Sequence, residues 1–233
     1  MIIINVLANV VPYNGLSTAA VSDSFKVFFV PAGYVFAIWG VIYIGLLAYS
    51  IYQARNNNPV FDKVALYIII GNIANSIWIF TWHYLLIPFT LPLMLILLVS
   101  LIASYVILRN TKGLNKWFTN YPIGIYLGWI SVATIANVTD FLDYFEVKTL
   151  VVDGITWAGL LILVAGIFGL IFIRLYKEAT YPLVIIWAVI GVSVKLGNIP
   201  WITLTTLFTV VTLLIALIAL LFVNRKIKLT FRK

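Results

Sequence analysis

Seven long apolar runs separated by short polar clusters make up most of the chain: Pro31–Gln53, Val64–Tyr84, Thr90–Leu108, Pro122–Val138, Thr156–Ile173, Pro182–Leu196 and Trp201–Val223. A hydrocarbon layer about 30 Å thick is crossed by ~20 apolar residues of helix, whereas barrel strands show segments of about ten residues with alternating hydrophobicity. The runs therefore predict transmembrane helices, and the fold class is all-α, a polytopic membrane helix bundle. An eighth apolar stretch, Met1–Val11, is too short for a perpendicular span and is broken by Pro12, Asn14 and Gly15. It reads as a short, tilted or incomplete helix. With no positive residue ahead of it, it does not read as a signal peptide.

Within the runs, bulky aromatic and amide residues recur at steps of three and four. Phe36, Trp39 and Tyr43 form one stripe; Gly71, Asn75, Trp78 and Trp82 a second; Tyr126, Trp129, Ala133 and Asn137 a third. Such steps place each set on one helix face. A buried amide in hydrocarbon is costly without a partner, so amides beside indoles predict a cavity between helices, suited to a flat, mostly apolar ligand. At ~1.5 Å per residue, Trp39, Trp78 and Trp129 lie ~9–14 Å below one membrane surface, in the same half of the bilayer. Trp117, Trp157 and Trp201 fall at helix ends and read as interfacial anchors.

Composition strengthens the membrane reading: 64% of the residues are hydrophobic and 9% charged. Alternating the seven runs puts twelve of the fifteen cations on one side, namely Arg55, Lys63, Arg109, Lys112, Lys116, Arg174, Lys177, Arg225, Lys226, Lys228, Arg232 and Lys233. Lys26, Lys148 and Lys195 fall on the other, with Asp23, Asp140, Asp143, Glu146 and Asp153. The positive-inside rule makes the basic side, and with it the C-terminus, cytoplasmic, in a bacterial-type cytoplasmic membrane. The net charge of +8 then reflects contact with anionic lipid, not nucleic acid.

Three of these segments carry a family resemblance. The stretch from Pro31 through Phe36 and Trp39 to Tyr43 resembles the second helix of the TspO/MBR family, the tryptophan-rich sensory proteins related to the mitochondrial translocator protein. Asn75 to Trp78 and Phe80 resembles its third helix, and Tyr126, Trp129, Ala133 and Asn137 its fifth. The resemblance covers Met1 to Val138 and implies a five-helix core, residues 1–140. Residues 141–233 then form an extension of three further transmembrane helices within a single membrane domain. The curtailed first helix, and a proline-to-tryptophan stretch one residue shorter before Trp39, depart from typical members.

What the resemblance implies is a membrane receptor or carrier that binds porphyrin, haem or a similar flat hydrophobic molecule as ligand and requires no cofactor. The ligand-binding residues it implies are Phe36, Trp39, Tyr43, Asn75, Trp78, Trp82, Tyr126, Trp129, Ala133 and Asn137. Its partners would be the lipid bilayer, a hydrophobic small molecule, and a second copy or a membrane-complex partner. Alternatives are a membrane enzyme modifying a tetrapyrrole or isoprenoid, and a structural or assembly subunit.

Catalytic chemistry is sparse. The chain has no cysteine and a single histidine, His83, with no carboxylate at metal-ligand spacing on its helix. Lying near a helix end, His83 reads as solvated or interfacial, with axial haem ligation as the alternative. Asp140 and Asp143, three apart, are the best acid/base candidates and could hold a metal or share a proton, but they read first as helix-end residues exposed to solvent, and Lys195 reads as a snorkelling side chain. Leu47–Tyr49–Arg55 and Leu101–Tyr105–Arg109 match the cholesterol-recognition pattern, but their tyrosines are expected as interface anchors in any case.

Overall fold

The computed structural model describes residues 1–25, 27–147 and 153–230, with 223–230 described by backbone alone. Among the described residues there are nine α-helices: α1 (Ile2–Val10), α2 (Thr18–Asp23), α3 (Ile38–Ala54), α4 (Val60–His83), α5 (Ile87–Asn110), α6 (Asn120–Tyr144), α7 (Gly154–Tyr176), α8 (Thr180–Leu196) and α9 (Pro200–Thr230). Two 3₁₀ turns, Tyr13–Gly15 and Gly33–Ala37, flank α2. Lys26, Lys148, Arg232 and Lys233 of the charge count lie outside the described residues, as do the side chains of Arg225, Lys226 and Lys228.

Among the described residues six helices are long and apolar enough to cross a membrane, the first being α3 together with the turn before it; α8 is apolar but only 17 residues long. The protein is thus a polytopic helical membrane bundle. Large apolar side chains such as Ile44, Val99, Phe208 and Leu221 stand outward, a surface that lipid covers and water does not tolerate. Prolines open several spans where a missing N–H is harmless: Pro88 in α5, Pro122 in α6, Pro182 in α8 and Pro200 in α9. Asp153 caps α7, accepting from the backbone N–H groups of Ile155 (2.9 Å) and Thr156 (3.0 Å). The Thr156 backbone and hydroxyl hold its carboxyl below the usual carboxylate range.

The helix that organises the bundle is α6. Of its apolar window 67% is buried, against 22% for α9, and it packs against α5, α3 and α8. On one side α4 packs on α5 and α5 on α6; on the other α7, α8 and α9 pack on one another. Small residues permit the close approaches. A Cβ on Gly71 would meet Leu97 and Ser100 of α5 at 3.2–3.3 Å, and one on Gly159 of α7 would overlap Trp201 of α9. Trp201 is therefore half-buried packing between helices as well as a helix-end residue, whereas Trp117 is exposed as an interfacial anchor would be.

Several helices run further than their apolar stretches. In α6 the chain stays helical past Val138 to Tyr144, nearly two turns beyond the predicted end, with Thr139 and Asp140 buried against protein there. The span starting at Pro31 opens with the 3₁₀ turn Gly33–Ala37 before α3 proper. The short first helix is real: α1 is nine residues, and its Asn5 side chain donates to Asn75 Oδ1 of α4 at 2.7 Å. At 1.5 Å per residue, α1 lies along only about half the depth of the bilayer.

Candidate ligand cavity

The C-terminal end of α4 is bound to the segment between α1 and α3 through His83. Its ring is fully buried, with Nδ1 3.1 Å from the Tyr13 carbonyl and Nε2 3.1 Å from the Thr18 hydroxyl. A carbonyl only accepts, so Nδ1 carries hydrogen and, in the neutral ring, Nε2 accepts from Thr18. The Asn14 side chain donates to the His83 carbonyl at 3.1 Å, and Trp82 Nε1 donates to the Thr18 carbonyl at 3.2 Å. The expectation of a solvated histidine is corrected: its partners come from residues far back in the sequence, and it is a structural tie. These contacts lay α2 across the ends of the helices as a roof.

Beneath the roof lies a cavity of about 40 Å³. Thr18, Ser22 and Pro31 border it above; Phe36 and Trp39, Trp78 and Trp82, and Met94 line it from α3 and its leading turn, α4 and α5. The α6 wall is a single face, Trp129, Val132, Ala133, Ala136, Asn137 and Asp140, at the three-and-four spacing of a helix. Trp129 stands edge-on to Phe36 at 5.6 Å and to Trp39 at 6.3 Å, and Trp78 stacks on Trp82 at 5.4 Å. Trp78 Nε1 donates to Asn137 Oδ1 at 3.0 Å, and the Asn137 amide donates to the Ala133 carbonyl.

Seven of the ten candidate residues thus meet at one cavity. The other three do not line it. Tyr43 stacks on Trp39 at 5.7 Å, Tyr126 stands edge-on to Trp39 at 5.9 Å, and Asn75 is taken up by Asn5. They lie a turn deeper on their helices and back the wall instead of forming it.

Residues outside the three stripes also position this wall. Trp187 of α8 donates from Nε1 to the Val35 carbonyl at 3.1 Å, and the Ala32 N–H donates to the Gly191 carbonyl at 3.0 Å. The Val35 side chain sits where a Gly191 Cβ would be. The strap carrying Phe36 and Trp39 is therefore seated on α8. Only the small residue at Gly191 could have hinted at this, since partners some 150 residues apart leave no local pattern. Lys195 of α8 pairs with Asp23 at the end of α2, so it is engaged in an ion pair and does not snorkel freely.

Asp140 departs most from expectation. It is 2% exposed and lines the cavity, while Asp143 is exposed. Only Asp140 lines the cavity, and the helix-end reading holds only for Asp143. The continuation of α6 beyond Val138 turns Asp140 inward on the Asn137 face. Asp140 Oδ1, Trp129 Nε1, Tyr126 Oη and Asn75 Nδ2 are buried with no hydrogen-bond partner. Both tyrosines of the cholesterol-type patterns are buried too, and Tyr105 donates to Glu178 at 2.6 Å. They are bundle residues, not interface anchors. Among the described residues no three histidine, aspartate or glutamate side chains gather as a metal site would require.

An all-helical membrane bundle with a small tryptophan-walled cavity beneath a helical roof is the class of protein defined by these features. A family model described as TSPO-like protein matches residues 1–221, and the chain belongs to that family. The match runs through α7, α8 and into α9, well past Val138, where the motif resemblance ended. Comparison with curated proteins and with solved structures gives no match.

Proposed function

We propose that the protein is a membrane receptor or carrier for a flat hydrophobic molecule, porphyrin-like in shape, held in the cavity between α2, α3, α4 and α6. The observation that supports this best is the meeting of four indoles from three helices around one space, in a wall that also holds Trp129 Nε1 and Asp140 Oδ1, buried atoms with unused hydrogen-bonding capacity. Indole faces supply stacking and the unpartnered polar atoms supply orientation.

Volume sets a condition on this reading. A cavity of about 40 Å³ holds a water or two, whereas ligand pockets run to roughly 300–1,000 Å³. Binding of such a molecule therefore requires the roof and the Trp78–Trp82 stack to move apart. The same small volume favours one competing reading, that the stripes are helix packing in a structural or assembly subunit.

A porphyrin titrated into the detergent-solubilised protein separates the two. Emission from Trp39, Trp78, Trp82 and Trp129 should be quenched with saturation, and alanine at Trp78 or Trp129 should weaken binding by about 1–3 kcal/mol each. Folded variants with unchanged affinity would favour the packing reading. The reading also places the basic side in the cytoplasm of a bacterial-type membrane. A reporter fused after Lys233 should be active inside, and activity on the opposite side would overturn that orientation.

A further inference from the structure

The wall of the cavity combines two features that favour the same ligand charge. The first is Asp140, 2% exposed, with Oδ1 unpartnered. Among the described residues no basic side chain forms a salt bridge with it, and the one described pair, Lys195 with Asp23, is already matched. Asp140 lies twenty residues into α6, about 30 Å from the helix start, near the outer edge of the hydrocarbon but inside protein. A carboxyl group in such a place gives up its proton only to a positive partner or to hydrogen-bond donors that can hold the charge.

The second feature is the aromatic box. Trp39, Trp78, Trp82, Trp129 and Phe36 line the same space as Asp140, and the electron-rich faces of such rings attract cations, most strongly when water is excluded. A neutral ligand would use the box and leave the carboxylate unmatched. A ligand whose polar ends are carboxylates, as in haem, would set a second acidic group against Asp140 with no cation between them.

We propose that the cavity selects an organic cation, a protonated or quaternary amine on a flat apolar body, with the nitrogen held between Asp140 and the indole faces. This rests on the cavity reading above and narrows its ligand class. Trp129 Nε1, a donor with no partner, serves an acceptor elsewhere on the same molecule. The pairing explains why a carboxylate is tolerated in a wall that is otherwise aromatic, aliphatic or neutral.

Three tricyclic probes of nearly equal shape test it by equilibrium dialysis of the full chain in non-ionic detergent, with protein-free detergent as the blank. They are 9-aminoacridine (cationic at neutral pH), acridine (neutral) and acridine-9-carboxylate (anionic). The expected order is cation, then neutral, then anion, with the cation bound about tenfold more tightly than acridine. Asp140→Asn should bring 9-aminoacridine to within about twofold of acridine while acridine itself is unchanged, and the exposed Asp143→Asn should keep the full preference. Should Asp140→Asn fail to fold, the wild-type order decides alone. Equal binding of cation and neutral probe, or a preference that survives Asp140→Asn, overturns the cation proposal and leaves the cavity reading standing. Retention of none of the three by folded protein overturns both.

Discussion

Replacing His83 with alanine should destabilise the protein by about 2–4 kcal/mol, the combined cost of a buried ring-sized void and of polar groups left without partners. The groups stranded are the Thr18 hydroxyl and the Tyr13 carbonyl, each 3.1 Å from a ring nitrogen. Because both belong to the segment that carries the roof, the loss should be local before it is global. Limited proteolysis should cut between Tyr13 and Asp23 well before the helices unfold. Detergent-based unfolding followed by tryptophan emission would register the loss, since Trp82 donates to the Thr18 carbonyl. A His83→Ala protein with an unchanged midpoint and an uncut roof segment would show that the histidine is not a structural tie.

Enlarging Gly191 should impair the cavity from outside it. A Cβ there would lie 2.2 Å from Val35 Cγ2 and 3.2 Å from Pro31 Cβ, too close for either to remain. Gly191→Leu should therefore push the strap off α8 at an overpacking cost of about 1–3 kcal/mol. Phe36 and Trp39 follow directly after Val35, so ligand affinity should fall about tenfold or more, equivalent to about 1.4 kcal/mol or more. Gly40→Ala is the matched control, because nothing lies within 4 Å of a Cβ at that position. Unchanged affinity in a stable Gly191→Leu protein would mean that α8 does not position the wall.

The legibility of this molecule in its sequence follows the range of the contacts. Spans were readable because a bilayer imposes length and apolarity on each helix separately. The α6 face through Trp129, Ala133 and Asn137, and the α4 pair Trp78 and Trp82, were readable because helical spacing is local. Partners were not. Trp78 finds Asn137 across 59 positions and Trp187 finds Val35 across 152, and no periodicity encodes either. The same limit accounts for His83 and Asp140. A polar residue near the end of an apolar run reads as solvated unless the fold brings another element over it, and here Tyr13 and Thr18 close over His83 while Asp140 faces the cavity that Thr18 and Ser22 also line. Asn75 was readable as a buried amide needing a partner, but not as the partner of Asn5 in a half-length helix.

The central claim is that a ligand enters among these indoles and not at a lipid-facing groove. It is tested most directly by locating a bound molecule. An acridine carrying a photoactivatable diazirine, irradiated on the full chain in lipid nanodiscs and mapped by mass spectrometry, should label Phe36 to Trp39, Trp78 to Trp82 and Trp129 to Asp140. Excess unlabelled acridine should suppress that labelling. Adducts confined to outward residues such as Phe168, in a groove between α5, α6 and α7, and Phe208, in a groove between α7 and α9, with none competed from the tryptophan wall, would contradict the account.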